Sequence, residues 1–216
     1  MGGFYRIEPA TLLEEVVGLA TMRGQLDPVD PKTFNPSARS MACTKRLWER
    51  AGGWPEWIRF SEDTLFDHKL RAMGSGWRFV PDAIVSWRPR SSLRSIARQF
   101  YNYGTGRGHT QIDAPAFRYN LRNALLLWAS VVVGLVTPWA WIAVASLFAY
   151  FYVFAFHAKA RRIARRTGRP IAYPLSLAVI WLVMFAHLGG YLVGSYQRWR
   201  RRDRFRDRME AYLAIP

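Results

Sequence analysis

Phe60-Ser61-Glu62-Asp63-Thr64-Leu65-Phe66-Asp67-His68-Lys69-Leu70-Arg71-Ala72-Met73-Gly74 is the stretch around which the rest of the chain is organised. Phe66, Leu70 and Met73 recur at helical spacing, Ser61 is a residue type that caps a helix N-terminus, and Gly74 stands where a C′ glycine would stop it. The spacing predicts a helix whose first turn carries two carboxylates, Glu62 and Asp63. The partial positive charge of a helix N-terminus favours ionised carboxylates, which equips such a pair to accept a proton or bind a cation. Plain helix capping explains the same two residues, because acidic side chains are enriched in first turns generally.

Outward from this stretch, composition narrows the partners. Lys plus Arg number 31 against 15 Asp plus Glu, a net charge of +16, so anionic partners are favoured. Ten Trp, ten Tyr and thirteen Phe select a membrane among them, since amphipathic rings collect at the lipid interface. The single cysteine, Cys43, excludes an intrachain disulfide and a cysteine-rich zinc site. The four histidines, His68, His109, His157 and His187, show no metal-ligand spacing and read as surface or interface residues. Met1 to Pro9 has no apolar core and does not read as a signal peptide.

The front of the chain mixes short helices and strands. Thr11-Leu12-Leu13-Glu14 is a capping box, followed by a helix that buries Leu12, Leu13, Val16, Val17 and Leu19 and ends near Gly24. Pro28, Pro31 and Pro36 make the next segment an irregular excursion. Ser40 to Cys43 reads as a short strand, and Thr44 caps a helical turn that stops at Gly52-Gly53. Trp77 to Val80 and Ala83 to Trp87, separated by Pro81-Asp82, predict one or two strands. Ser91 and Ser92 open a helix over Leu93 to Tyr103, closed by Gly104, with apolar and arginine-bearing sides that suit a membrane interface as well as a domain surface. Gly104-Thr105-Gly106-Arg107-Gly108 follows a helix, the wrong context for a dinucleotide loop, and reads as a hinge.

The back is apolar. Ala124 to Phe156 is interrupted only at Thr137-Pro138 and is longer than the about 20 residues one crossing requires, which favours a hairpin of two short helices. A second run, Leu175 to about Tyr196, carries Gly190 and Gly194 at the spacing that lets helices approach closely. Arginine clusters flank it, Lys159 to Arg169 before and Arg198 to Arg208 after. Beside so much apolar sequence they suit anionic membrane lipid rather than nucleic acid. The positive-inside rule places both on the cytoplasmic side, which three full crossings cannot achieve; a hairpin followed by a re-entrant or interfacial second run can, and so can four short crossings with a turn near His187-Leu188-Gly189-Gly190.

In order and spacing these pieces resemble the C-terminal half of a membrane-associated family 2 glycosyltransferase of the GT-A type, of the kind that builds bacterial exopolysaccharides. Gly2-Gly3-Phe4-Tyr5 resembles the glycine-aromatic stretch after the family's acidic motif. Arg46 to Trp54 resembles the segment before the acceptor site, and Trp77 to Ala83 the strand and turn after the catalytic pair. Ser61-Glu62-Asp63 is similar to the Glu-Asp pair whose Asp is the catalytic base. Gln99 to Arg107 lies where the family carries Gln-x-x-Arg-Trp; Asn102 and Tyr103 replace its Arg and Trp, and Trp87 replaces a frequent histidine. The resemblance thus implies an α/β partial GT-A-like domain over residues 1–90, an interfacial amphipathic helix and hinge over 91–110, and helical membrane-associated segments over 111–216. It implies an inverting transfer from a nucleotide-sugar donor to a lipid-linked or glycan acceptor, with Asp63 and Glu62 catalytic and Arg98, Gln99, Tyr103 and Arg107 contacting donor diphosphate or acceptor. No Asp-x-Asp precedes Gly2, so the nucleotide-binding N-terminal half and the ligands of the family's Mg or Mn ion are expected outside this chain, as in a fragment or split enzyme. The expected location is the inner, plasma membrane, with the catalytic part cytoplasmic. The alternative reading is a non-catalytic, basic membrane-anchored scaffold or remnant.

Overall fold

A computed structural model describes residues 1–22, 24–26, 28–74, 76–150 and 156–214. They are mostly helical, with one two-stranded parallel sheet of β1 (Gly2–Ile7) and β2 (Phe79–Trp87). The apolar segments either side of Pro81-Asp82 are therefore a single strand. Between Gly3↔Val80 and Phe4↔Ile84 the register jumps, so the strand accommodates its proline by bulging. The strand expected over 40–43 shrinks to one antiparallel bridge, Gly2↔Met41, after a 3-10 turn at Ala38–Ser40.

The capping box opens α1 (Leu12–Thr21) with one change of partner. Thr11 Oγ1 accepts from Glu14 N at 3.2 Å, but Glu14 reaches past the cap to accept from Ala10 N at 2.7 Å. Arg88 then grips the buried Glu14 carboxylate at 3.1 and 2.9 Å. These hydrogen bonds hold the Glu14 carboxyl below the usual range, and they tie the end of β2 to α1.

Thr44 Oγ1 caps α2 (Lys45–Arg50) by accepting from Leu47 N at 3.2 Å, and Gly52 and Gly53 turn the chain at positive φ. α3 (Glu62–Ala72) follows and stops at Gly74, whose φ of 67° is the left-handed C′ geometry its position predicts. α4 (Leu93–Thr110) differs from expectation: Gly104 does not close it, and the presumed hinge 104–108 is its last two turns. α5 (Ala114–Gly134) and α6 (Ala140–Tyr150) form the hairpin, turning around Thr137-Pro138. The part of the first apolar run at 151–155 lies outside the described residues. α7 (Ala158–Thr167) carries the first basic cluster, and α8 (Ala172–Arg200) is, among the described residues, the one helix long and apolar enough to cross a membrane.

Front and back share one core. Val16, Val17, Leu19 and Ala20 of α1 pack with Ile96 of α4, Ile163 of α7, and Ala172 and Val179 of α8. Further along, α4 and α8 run parallel at backbone contact distance. A Cβ on Gly104 or Gly108 would meet the carbonyl of His187 or Tyr191, and one on Gly190 or Gly194 the carbonyl of Tyr101 or Thr105, each closer than the 3.0 Å that real Cβ contacts respect. His109 and Gln197 continue the same register with a 2.7 Å hydrogen bond. The small-residue spacing of α8 thus finds its complement in α4.

α9 (Arg208–Ala214) folds back on α3. Tyr212 is buried, donates from its hydroxyl to Gly53 O at 3.0 Å, and accepts through its own carbonyl from Lys69 Nζ, which also lies 4.1 Å from its ring centroid. Burial pushes the Tyr212 phenol up to about 12 and the Lys69 ammonium down. Tyr212→Ala is expected to cost about 3–4 kcal/mol of stability and Tyr212→Phe about 1, because only the first opens a cavity under Lys69. Equal shifts in denaturation midpoint for the two variants would contradict this packing.

Candidate active site

Ser61 occupies the N-cap position of α3 without capping it. Its φ is 63° and its side chain makes no cap hydrogen bond, so the expectation from its residue type fails locally. The cause is tertiary. A Cβ on Gly106 of α4 would lie 2.5 Å from Phe60 O and from Ser61 Oγ, so the loop is seated directly on the α4 backbone. A left-handed serine costs of order 1–2 kcal/mol and persists only where its surroundings over-determine it. Asp113, at the start of α5, is also left-handed with a φ of 59° and lines the same cleft.

The loop turns Glu62 and Asp63 into a cleft of about 690 Å³. Asp63 Oδ1 accepts from Thr64 N at 2.7 Å and Oδ2 from Ala38 N at 3.2 Å, so the excursion before α2 clamps the carboxylate from the far side. Glu62 differs. Burial, and then the neighbouring Asp63 charge, push its carboxyl above the usual 4.5.

The sign of that shift makes a prediction. A carboxyl raised in the folded state binds protons more tightly there than in the unfolded chain, so stability falls as pH climbs from 4.5 through its folded pKa. Glu62→Gln removes the penalty and is expected to raise neutral-pH stability by less than about 1 kcal/mol, since the group keeps contact with the cleft's water. Thermal melts at several pH values check it; a Gln variant less stable than the parent at pH 7 would contradict the assignment.

Tyr103 and Arg107 line this cleft, with Arg39, Arg59 and His68. Gln99 and Arg98 are not among its lining residues. Gln99 stands behind it, donating to the Tyr103 hydroxyl at 2.8 Å, and Arg98 is exposed on α4. Arg107 pairs with Asp113 at 3.1 Å, and both line the cleft that Glu62 and Asp63 line. Rings complete the walls: Tyr5, Phe34, Phe60, Trp87, Phe100 and Tyr103. Arg39 lies 4.4 Å from the Trp87 ring centroid. The strand-end tryptophan therefore holds a cation at the cleft rather than contacting an ion itself.

His187 was unremarkable by spacing yet sits in the cleft wall, edge-on to Phe117 at 4.9 Å and Phe100 at 6.1 Å, with a buried Nε2 that has no hydrogen-bond partner. The available signal was its position, an ionisable group inside a long apolar run. His109, also expected at a surface or interface, is buried and stacked 4.0 Å from Phe205, which pushes its imidazole pKa down.

Glu62 and Asp63 have no third His, Cys, Asp or Glu grouped with them, and among the described residues no such group exists elsewhere. What the cleft combines is a backbone-clamped carboxylate, a second carboxyl that holds its proton longer, several guanidinium groups and aromatic faces. This set suits proton abstraction from a hydroxyl beside a polyanionic leaving group. No family model, curated protein or solved structure matches the chain.

Proposed function

We propose that the chain is the acceptor-binding and membrane half of an inverting, GT-A-type glycosyltransferase of family 2. It would transfer a sugar from a nucleotide-sugar donor to a lipid-linked or glycan acceptor at the cytoplasmic face of the plasma membrane. The observation that carries the reading is the strained Ser61 loop, which aims Glu62 and Asp63 into a cleft walled by arginine and aromatic side chains. Proteins retain such strain where function requires the geometry.

In this reading Asp63 takes the acceptor hydroxyl's proton as that oxygen attacks the anomeric carbon, and the bond to the diphosphate breaks on the opposite face. Arg107 answers the developing diphosphate charge, with Asp113 fixing the plane of its guanidinium. Glu62 orients the acceptor. Tyr103, held by Gln99, offers a flat amphipathic surface to a sugar ring. Arg98, outside the cleft wall, has no donor contact in this scheme.

The reading assigns the donor's nucleotide to a βαβ element on a separate segment, since β1 and β2 are the only strands among the described residues. The test is transfer of radiolabelled sugar into the lipid-extractable fraction, with uridine and guanosine diphosphosugars and magnesium or manganese supplied. It is run on the purified chain alone and co-expressed with a candidate nucleotide-binding half. Transfer that needs both parts is the expected result. Failure of every donor and partner combination to give transfer or saturable donor binding would favour the scaffold reading.

A further inference from the structure

The helix that composition marks as a membrane span packs along one side against other parts of the protein. α8 has α1 against its first turns, through Ala172 and Val179, and α4 along its second half, from His187 to Arg198. A crossing by α8 would carry both neighbours to membrane depth. By the parallel register, the exposed Arg98 of α4 stands level with the middle of α8, and α1 brings Glu14 and Glu15. An arginine at the centre of a spanning helix costs about 2.5–3.5 kcal/mol on insertion scales. Arg169 before α8 and Arg198 and Arg200 within its last turn give its two ends the same sign of charge, against a crossing by the positive-inside rule.

What α8 leaves outside is a stripe. Phe185, Leu192, Tyr196 and Trp199 are exposed and fall on one side of the helix, opposite the Gly190 and Gly194 that meet α4. This is the pattern of a helix lying in the interface plane, polar or packed on one side and apolar with aromatics on the other.

The α5–α6 hairpin is the reverse case. Between Leu125 and Tyr150 only Gly134 is buried, and no ionisable side chain intervenes before Tyr150. Val136 and Trp139 at the turn are 84% and 78% exposed. Apart from the side where Phe148 stacks on Trp181 of α8 at 6.2 Å, the two joined helices expose apolar side chains, which matches acyl chains. At its base Tyr119 and Tyr150 share a hydrogen bond of 3.4 Å, next to Arg118 and Arg122, with the arginines of α7 nearby in sequence. Amphipathic rings and cations at that level fit anionic headgroups.

We propose that the bilayer is entered by the α5–α6 hairpin alone and that α8 lies along the membrane surface, with its exposed stripe toward lipid, without crossing. The Glu62–Asp63 loop, seated on Gly106 on the side of α4 turned away from α8, would then open to the aqueous side of the α4–α8 layer. The topology stands on the packing and charge just described and does not depend on the glycosyltransferase reading.

The exposed Cys43 is a native reporter for the side of the cleft domain. In a Cys43→Ser background, Ile171→Cys and Arg201→Cys place thiols at the two ends of α8, both at exposed positions. Membrane vesicles of one orientation are treated with a membrane-impermeant maleimide before and after permeabilisation. All three thiols are expected to label from the same side; opposite labelling of the two ends of α8 would overturn the proposal. As a second measurement, the full-length Val136→Asp/Trp139→Asp variant is floated with phosphatidylethanolamine–phosphatidylglycerol vesicles. At least a tenfold loss of the floating fraction is expected, and unchanged flotation would show that another element inserts.

Discussion

Asp63→Asn is expected to leave the chain folded and to lower sugar transfer by about 10³-fold, within the about 10²–10⁴ that a positioned general base supplies. Folding survives because the amide oxygen of asparagine can still accept one of the two backbone N–H groups, from Thr64 or from Ala38, that the carboxylate now shares between its oxygens. Losing the other costs on the order of 1 kcal/mol. The measurement is single-turnover transfer by the assembled enzyme, paired with a thermal melt in the same detergent. Donor affinity is expected to stay within about twofold, since the base acts on the acceptor hydroxyl rather than on ground-state donor binding. A variant that keeps parental turnover removes Asp63 from the chemistry. One that loses transfer together with its melting transition would instead assign Asp63 to holding Ala38 and the loop.

Adjacent glycines of α8 give the largest expected stability contrast. Gly190→Ala drives a methyl group into the Tyr101 carbonyl and the Thr105 amide nitrogen, backbone atoms that cannot swing aside, so the helices must separate. We expect a loss of about 3 kcal/mol or more, the upper end of what overpacking costs. Gly189→Ala meets nothing within 4 Å and is expected to stabilise by about 0.5–1 kcal/mol, the helix-propensity gain of alanine over glycine. Denaturation of the two variants side by side checks the crossing, because composition, hydropathy and helix position are otherwise the same. The separation also reaches the cleft, since Gly106 sits in α4 between the two glycines that meet α8. Gly190→Ala is therefore expected to weaken transfer even at temperatures where the protein stays folded. Similar shifts for both variants would mean that α4 and α8 are not in backbone contact.

Local chemistry was legible where a residue's role is decided by its neighbours in the chain. Thr11 and Thr44 cap helices, Gly74 ends α3, and Thr137-Pro138 turns the α5–α6 hairpin. Each of these depends on backbone geometry over a few residues, and so it can be read from spacing. The Glu62–Asp63 pair was legible for the same reason, as acids in the first turn of an amphipathic helix.

Only the tertiary structure decided the rest, and in each case contact between distant segments overrode a local preference. Gly104, Gly106 and Gly108 looked like a helix end and a hinge because glycine disfavours helix interiors; they stay helical because α8 on one side and the Ser61 loop on the other fill the space their side chains would occupy. Ser61 looked like a cap and became a strained residue because Gly106 fixes the loop from across the domain. Of the four α4 residues drawn from one short segment, Tyr103 and Arg107 face the cleft while Gln99 and Arg98 do not. Arg39, Arg59 and His187 join them from three other parts of the chain. By itself the sequence determined where capped amphipathic helices begin, which segments are apolar and where acids and arginines cluster. Which apolar helix packs along one side on the rest of the protein and which stays exposed depends on the partners each meets. Hydropathy measures only the side chains themselves, so packing alone set α8 and the α5–α6 hairpin apart.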